Sequence, residues 1–228
     1  MSKFSVAIDG PAGAGKSTLA KAAAAKLGFV YVDTGAIYRT VGLAAKLAGV
    51  EKTDTAGVIA LLPKLDIDLG YVDGMQRMFL NGEDVSDKIR TPEMSIYASN
   101  VSALPEVRAY LMDMQRQMAV KYDVIMDGRD IGTVVLPNAG LKVFLTASAE
   151  KRAMRRYKEL LAKDTDVTYE EVLADMIQRD ARDMNRAAAP LKAAEDAVLL
   201  DTSEMTLEES VETLISMIEN RMEGGGKA

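Results

Sequence analysis

Nine residues restrict this chain to a small set of folds: Gly10-Pro11-Ala12-Gly13-Ala14-Gly15-Lys16-Ser17-Thr18. They fit the pattern G-x-x-x-x-G-K-[ST]. Phe4–Asp9 precedes them, a short apolar run that reads as a buried parallel strand. Leu19–Gly28 follows, rich in strong helix formers and closed by glycine. Strand, glycine loop and helix are the context in which backbone N–H groups turn inward around a polyphosphate. The helix N-terminus adds partial positive charge. Lys16 reaches the outer phosphates, and the Ser17 hydroxyl suits Mg²⁺. The loop therefore predicts a nucleoside triphosphate site but leaves its use open. The bland alternative is an Ala/Gly-rich turn that binds nothing.

Composition narrows the chemistry. With 28 basic against 34 acidic residues the net charge is −6, which disfavours nucleic-acid wrapping and anionic membranes. There is no cysteine, which excludes disulfides, thiolate zinc sites and a cysteine nucleophile. There is no histidine either, which removes the commonest general base and metal ligand. What remains is phosphate, Mg²⁺, Arg, Lys and carboxylates. The apolar runs are short and broken by charge, so neither a signal peptide nor a membrane span is expected, and a cytoplasmic location is. The 14 methionines suit core filling.

Along the chain, Phe29–Val32 predicts a second strand ending at Asp33-Thr34-Gly35. A helix follows with Ile37, Val41, Ala44 and Ala48 on one apolar face, and Tyr38 and Arg39 off it. From about 65 to 90 the pattern changes to alternation broken by Asp73-Gly74 and Asn81-Gly82, which predicts a small antiparallel insert. Thr91 and Pro92 open one helix, and another runs from Pro105 to about Val120. Asp123–Asp127, Leu141–Leu145 and Ala197–Asp201 read as three further core strands. Ser148 caps a helix, and Thr168/Glu171 and Thr206/Glu209 are capping boxes. The second of these helices starts amphipathic (Val172, Leu173, Met176, Ile177) and runs through Arg186. The last carries a stripe of Leu207, Val211, Leu214, Ile215, Ile218 and Met222, and 224–228 reads as a disordered tail. Five βα units predict an α/β fold, a parallel sheet with helices on both faces.

Three further stretches are rich in charge: Asp33-Thr34-Gly35 with Tyr38 and Arg39; Asp127-Gly128-Arg129-Asp130; and Arg179, Arg182, Asp183 and Arg186. In the third, helical spacing puts 179, 182 and 186 on one face. The bland readings are an Arg179–Asp183 surface pair and a plain strand-ending turn. Two of these stretches follow core strands, on the edge where the glycine loop sits, and taken together the arginines match what phosphoryl transfer needs, several guanidinium groups around one centre.

These stretches, with Ala189-Pro190-Leu191, resemble the bacterial cytidylate kinase family of nucleoside monophosphate kinases from Ser5 to about Met222. The resemblance implies a P-loop NTPase fold with a five-stranded parallel core at 1–35, 121–151 and 189–228. It implies a monophosphate-binding domain at 36–120 holding the insert, and a mobile helical lid at 152–188. It implies transfer of the γ-phosphoryl of ATP to CMP or dCMP with Mg²⁺ as cofactor. By position, Arg39, Arg129 and Arg186 resemble acceptor-phosphate ligands, Arg179 and Asp183 sugar contacts, and Ser99, Arg108 and Asp130 cytosine readers. Thr34 and Tyr38 fall with the substrate ligands. Lys16, Arg129, Arg182 and Arg186 are the candidate catalytic set. Arg152 and Arg156 are candidate ATP contacts beside Gly10 to Thr18, with Arg155 a further lid arginine. The implied partners are small-molecule substrates alone, with neither nucleic acid nor membrane, for a monomeric enzyme. A kinase for another small acceptor (UMP, AMP or shikimate) and a nucleotide switch remain as alternatives. Against the switch, no Asn-Lys-x-Asp for guanine occurs.

Overall fold

Short apolar runs, four of the five ending in aspartate, become the strands of a five-stranded sheet in the computed structural model, which describes residues 3–162 and 164–224. The elements are β1 (Ser5–Asp9), α1 (Lys16–Leu27), β2 (Val30–Asp33), α2 (Thr34–Leu47), α3 (Thr55–Leu61), β3 (Ile67–Val72), β4 (Met75–Leu80), β5 (Glu83–Asp84), α4 (Pro92–Val101), α5 (Pro105–Lys121), β6 (Val124–Asp127), β7 (Leu141–Thr146), α6 (Ala149–Leu161), α7 (Tyr169–Asn185), β8 (Val198–Asp201) and α8 (Leu207–Gly224). A 3₁₀ turn, Leu62–Lys64, follows α3, and a π-helical turn, Ile131–Val135, follows β6. The large sheet has the order β2-β6-β1-β7-β8, with β1 parallel to both its neighbours and β8 parallel to β7. The small sheet, β3-β4-β5, is antiparallel. The α/β class, the five parallel strands and the insert are thus as the sequence predicts. Among the described residues no helix is long and apolar enough to cross a membrane.

The chain divides into two compact units, Met1–Tyr31 with Lys121–Ala228, and Val32–Val120. In the first, alternate residues of the strands (Val6, Ile8, Ile125, Val143, Leu145 and Leu200) pack with Leu19, Ala20 and Ala23 of α1 and with Val211, Leu214 and Ile218 of α8. Period-2 strands against period-3.6 helices make one closed apolar layer. Helices α6 and α7 form their own small core from Ala153, Val172 and Met176, with Tyr157 and Tyr169 edge to face. The second unit packs Ile37, Val41 and Leu43 of α2 against Met78 and Leu80 of β4, Met94 and Tyr97 of α4, and Val107 and Leu111 of α5.

Several local expectations need correction. Thr34 and Gly35 lie inside α2, with Asp33 as its N-cap. Tyr38 is buried with the core rather than off its face, because α2 is covered on most sides, while Ala48, the C-cap, is exposed. Ile177, Leu207 and Met222 are exposed, so the stripes on α7 and α8 are narrower than their apolar spacing suggests. Residues 55–61 form a helix that the sequence reading did not assign. Helix α7 stops at Asn185, and Arg186 is its extended C-cap, so Arg186 does not share a helix face with Arg179 and Arg182. Asp183 pairs with Arg129, a partner from the end of β6 that helical spacing does not reveal. Gly224 closes α8, and the rest of the expected tail, 225–228, lies outside the described residues, as does position 163 of the expected lid.

Candidate functional site

The glycine loop is shaped by close approach. A Cβ on Gly10 would stand 1.9 Å from the Leu145 carbonyl oxygen of β7, and φ is +148°, so no other residue fits there. Gly15 takes a left-handed conformation as N-cap of α1 and supplies no side-chain cap, which leaves the first N–H groups of α1 available for an anion. Lys16 opens α1 and is only 6% exposed. Its Nζ donates to the carbonyls of Gly10 (2.8 Å) and Pro11 (2.7 Å). Burial, and then the nearby Arg129 guanidinium, hold the Lys16 ammonium well below the usual lysine range, against the opposing pull of Asp127, Asp9 and Asp183. Ser17 Oγ donates to Asp127 Oδ2 at 2.7 Å, and the Tyr31 hydroxyl donates to the other oxygen at 3.0 Å. Pro11, Ala12 and Ala14 are buried, while Gly13 and Thr18 are exposed.

The register of β1 against β6 (Ile8 beside Asp127) sets the loop next to Gly128-Arg129-Asp130. Gly128 N–H donates to the Ile8 carbonyl (3.0 Å). Asp9 accepts the N–H groups of Ile131 and Gly132, both at 2.7 Å, and so ties the end of β1 to the segment after Asp130. Arg129 Nε donates to Asp183 Oδ2 (2.8 Å), which joins this turn to α7. Arg186 Nη2 donates to Asp130 Oδ1 (3.2 Å), and its Nε donates to the Ala189 carbonyl (2.7 Å). Arg129, Asp130, Asp183 and Arg186 are thereby linked in two ion pairs, both across more than fifty residues of sequence. Arg129 and the other nearby guanidinium groups hold the Asp183 carboxyl below its ordinary value against the effect of burial. Arg179 is depressed by burial and then by Arg129. Arg182 is exposed and donates to the Gln178 carbonyl of its own helix.

Asp9 titrates unusually. Burial raises it from 3.8 to about 6, although its two backbone donors pull it down. The folded protein therefore holds this proton to higher pH than the unfolded chain. Stability falls as pH rises through that window, and the cost, about 3 kcal/mol, persists above it. The Asp9→Asn protein is expected to gain melting temperature relative to its parent as pH is raised from about 4 to about 7. A difference that stays constant with pH would show that Asp9 ionises normally.

Of the arginines expected in a lid, Arg152 is buried. It donates to the Ala12 carbonyl of the loop (2.9 Å), to the Ala147 carbonyl (2.8 Å) and to Asp180 Oδ2 on α7 (2.7 Å). Arg155 donates to the Thr202 carbonyl, and Arg156 pairs with Glu159 on its own helix. The second unit carries the remaining candidates. Arg39 Nη2 donates to Asp33 Oδ2 (2.9 Å). Thr34 is buried. Arg108 lies over the Tyr38 ring, 5.8 Å from its centroid, and donates to the Ser102 carbonyl. Ser99 is half-buried on α4. Asp9, Tyr31 and Asp180 were not singled out by sequence. For Asp9 the signal was its place at the strand end before the loop; the other two gave none.

A buried lysine on a glycine loop, with Ser17 of that loop hydrogen-bonded to the strand end that leads into an arginine-bearing turn, is phosphoryl-transfer apparatus, and the comparisons agree with that geometry. The family profile described as "Cytidylate kinase" matches residues 6–220. A cytidylate kinase of Caldicellulosiruptor bescii is 50% identical over 217 residues, covering 95% of this chain and 96% of that protein. A cytidylate kinase of Pasteurella multocida is 47% identical, covering 97% of each. A crystal structure of a gluconokinase from Sinorhizobium meliloti shares the fold, with a TM-score of 0.50 at 14% identity over 98% of this chain and 95% of that one. With the profile spanning nearly every residue and half the positions shared with such relatives, this chain belongs to the cytidylate kinase family.

Proposed function

We propose that the chain transfers the γ-phosphoryl group of ATP to the phosphate of CMP or dCMP, giving ADP with CDP or dCDP. The observation that carries this reading is the Asp9 bridge. It fixes the Arg129–Asp130 turn to the strand that ends in the triphosphate loop. Donor and acceptor chemistry are thereby held on one rigid element. Lys16 exchanges its two carbonyl acceptors for the outer phosphates of ATP. Arg39, Arg129 and Arg186 bind the acceptor phosphate, and Arg182 steadies charge on the group in flight. Arg179 and Asp183 take the sugar hydroxyls. Asp130, Arg108 and Ser99 read the base, with Thr34 and Tyr38 beside the substrate. The span 36–120 serves as the monophosphate-binding domain. The segment 152–188, whose Arg152 already reaches the loop at Ala12, serves as the lid with Arg156 toward ATP.

Mg²⁺ fits the donors present. Ser17 Oγ and Asp127 Oδ2 are hard oxygen donors 2.7 Å apart. Among the described residues no cluster of three or more acidic groups could hold a metal by itself. That suits an ion carried mostly by phosphates and water. Ser17, backed by Asp127, would hold the ion, which when bound neutralises charge on the β- and γ-phosphates.

No side-chain base is required. A phosphate monoester is largely dianionic at neutral pH, its second pKa being about 6, and is already a nucleophile. The chain has no histidine to serve in any case. Positioning and electrostatics therefore supply the rate. An ADP-release assay over CMP, dCMP, UMP and AMP tests the reading. CMP and dCMP are expected to give the highest kcat/KM, and an equal or better value for AMP or UMP would reassign the acceptor.

A further inference from the structure

We propose that Gln76, on the small antiparallel sheet, is a positioning residue for Arg39 and hence for the monophosphate acceptor. This rests on the reading of Arg39 as an acceptor-phosphate ligand. Gln76 Oε1 accepts the Asp33 N–H (2.7 Å), and its Nε2 donates to the Asp33 carbonyl (3.3 Å). One side-chain amide thus satisfies both main-chain groups of a single residue, where β2 ends and α2 begins. The orientation of the amide is dictated, because the Asp33 N–H can only donate.

Asp33 is the residue whose side chain holds Arg39. Its Oδ1 accepts the Ala36 N–H (2.9 Å) as the N-cap of α2, and its Oδ2 accepts Arg39 Nη2 (2.9 Å). Both carboxylate oxygens are engaged, so the carboxylate can shift only if the Asp33 backbone shifts, and Gln76 holds that backbone. Gly35 completes the arrangement. A Cβ there would stand 3.1 Å from both Arg39 Nη1 and Asp33 Oδ1. Its φ is not positive, so the backbone does not demand glycine; a methyl group there would instead push the guanidinium or the carboxylate by a few tenths of an ångström. The Arg39 Nε is buried and has no hydrogen-bond partner among the described residues. The guanidinium is therefore oriented through one nitrogen and keeps a second donor unused, as a group awaiting an anion would.

The test is steady-state kinetics with CMP and with ATP varied separately. Gln76→Leu is expected to raise KM for CMP about tenfold while kcat and KM for ATP change less than about threefold. Gln76→Glu keeps the acceptor and loses the donor, and is expected to fall between parent and Gln76→Leu. Gly35→Ala, which leaves Gln76 intact and crowds Arg39, is expected to raise KM for CMP as well. Adding Gln76→Leu to Arg39→Ala should have no further effect on KM for CMP, because the clamp then has nothing to orient. If Arg39→Ala raises KM for CMP and Gln76→Leu does not, the proposal is overturned and the acceptor reading stands. If Arg39→Ala leaves KM for CMP unchanged, the acceptor reading of Arg39 fails and the proposal falls with it. Additive effects in the double variant, or a lower melting temperature with both KM values unaltered, would reduce Gln76 to a fold residue.

Discussion

Lys16→Met is expected to lower turnover by about three orders of magnitude while the ligand-free protein melts no lower than its parent. The two halves of this result have separate causes. In turnover, Lys16 is the one cationic side chain on the loop from Gly10 to Thr18, and the charge it offers the transferring phosphoryl cannot be replaced from within that loop. In stability, the ammonium is nearly inaccessible, and burial holds it well below the usual lysine range. The unfolded chain therefore binds this proton more readily than the folded one. Between the folded value and the ordinary lysine value, stability rises with pH, so below the ordinary lysine range keeping Lys16 in its buried place costs stability. Methionine fills similar space without that cost, though the carbonyls of Gly10 and Pro11 lose their donor. Any stability gained by the variant should shrink as pH is raised toward the ordinary lysine range, because the parent then sheds its penalty. Near-parental kcat would overturn the assignment of the loop. A large fall in melting temperature would show that the two carbonyl contacts outweigh the buried charge.

What the sequence discloses follows from how locally each feature is determined. Gly10 is legible because only a residue without Cβ fits against Leu145. The insert is legible because Asp73-Gly74 and Asn81-Gly82 both take positive φ at two successive positions, the geometry of tight hairpin turns, and because two-residue loops fix the register Val72 to Met75 and Leu80 to Glu83. The capping boxes at Thr168 and Thr206 appear as written, since each is complete within four residues. Long-range partners are not legible in this way. Helical spacing places Asp183 beside Arg179, and only the fold shows that a strand-end arginine, Arg129, donates to it. Spacing also carries Arg186 onto a helix that has already ended. Gln76 reads as an ordinary strand residue, because its target lies 43 positions away. The motifs named the chemistry; the groups that orient their side chains came from tertiary contacts.

Asp130→Asn is expected to narrow the preference for CMP over UMP by about tenfold or more, most of it through loss of kcat/KM for CMP. The two bases have the same outline and differ at two positions. Cytosine carries an amino donor at C4 and an acceptor at N3, where uracil carries an acceptor and a donor. An ionised carboxylate only accepts, so it suits the cytosine amino group and opposes the uracil carbonyl. Asparagine can turn an N–H toward that carbonyl and still offer its oxygen to Arg186, which now donates to Asp130 Oδ1 at 3.2 Å. That second property makes the substitution informative. Both side chains of the pair are less than a tenth exposed, so Asp130→Ala would withdraw the carboxylate from a buried guanidinium at a cost of about 3–5 kcal/mol and damage turnover of either substrate. The amide retains the brace and alters only the donor–acceptor pattern. If Asp130 serves only to hold Arg186, the amide should leave the ratio of CMP to UMP where it was and depress both by a common factor. That result would remove Asp130 from base recognition and leave it as the partner of Arg186.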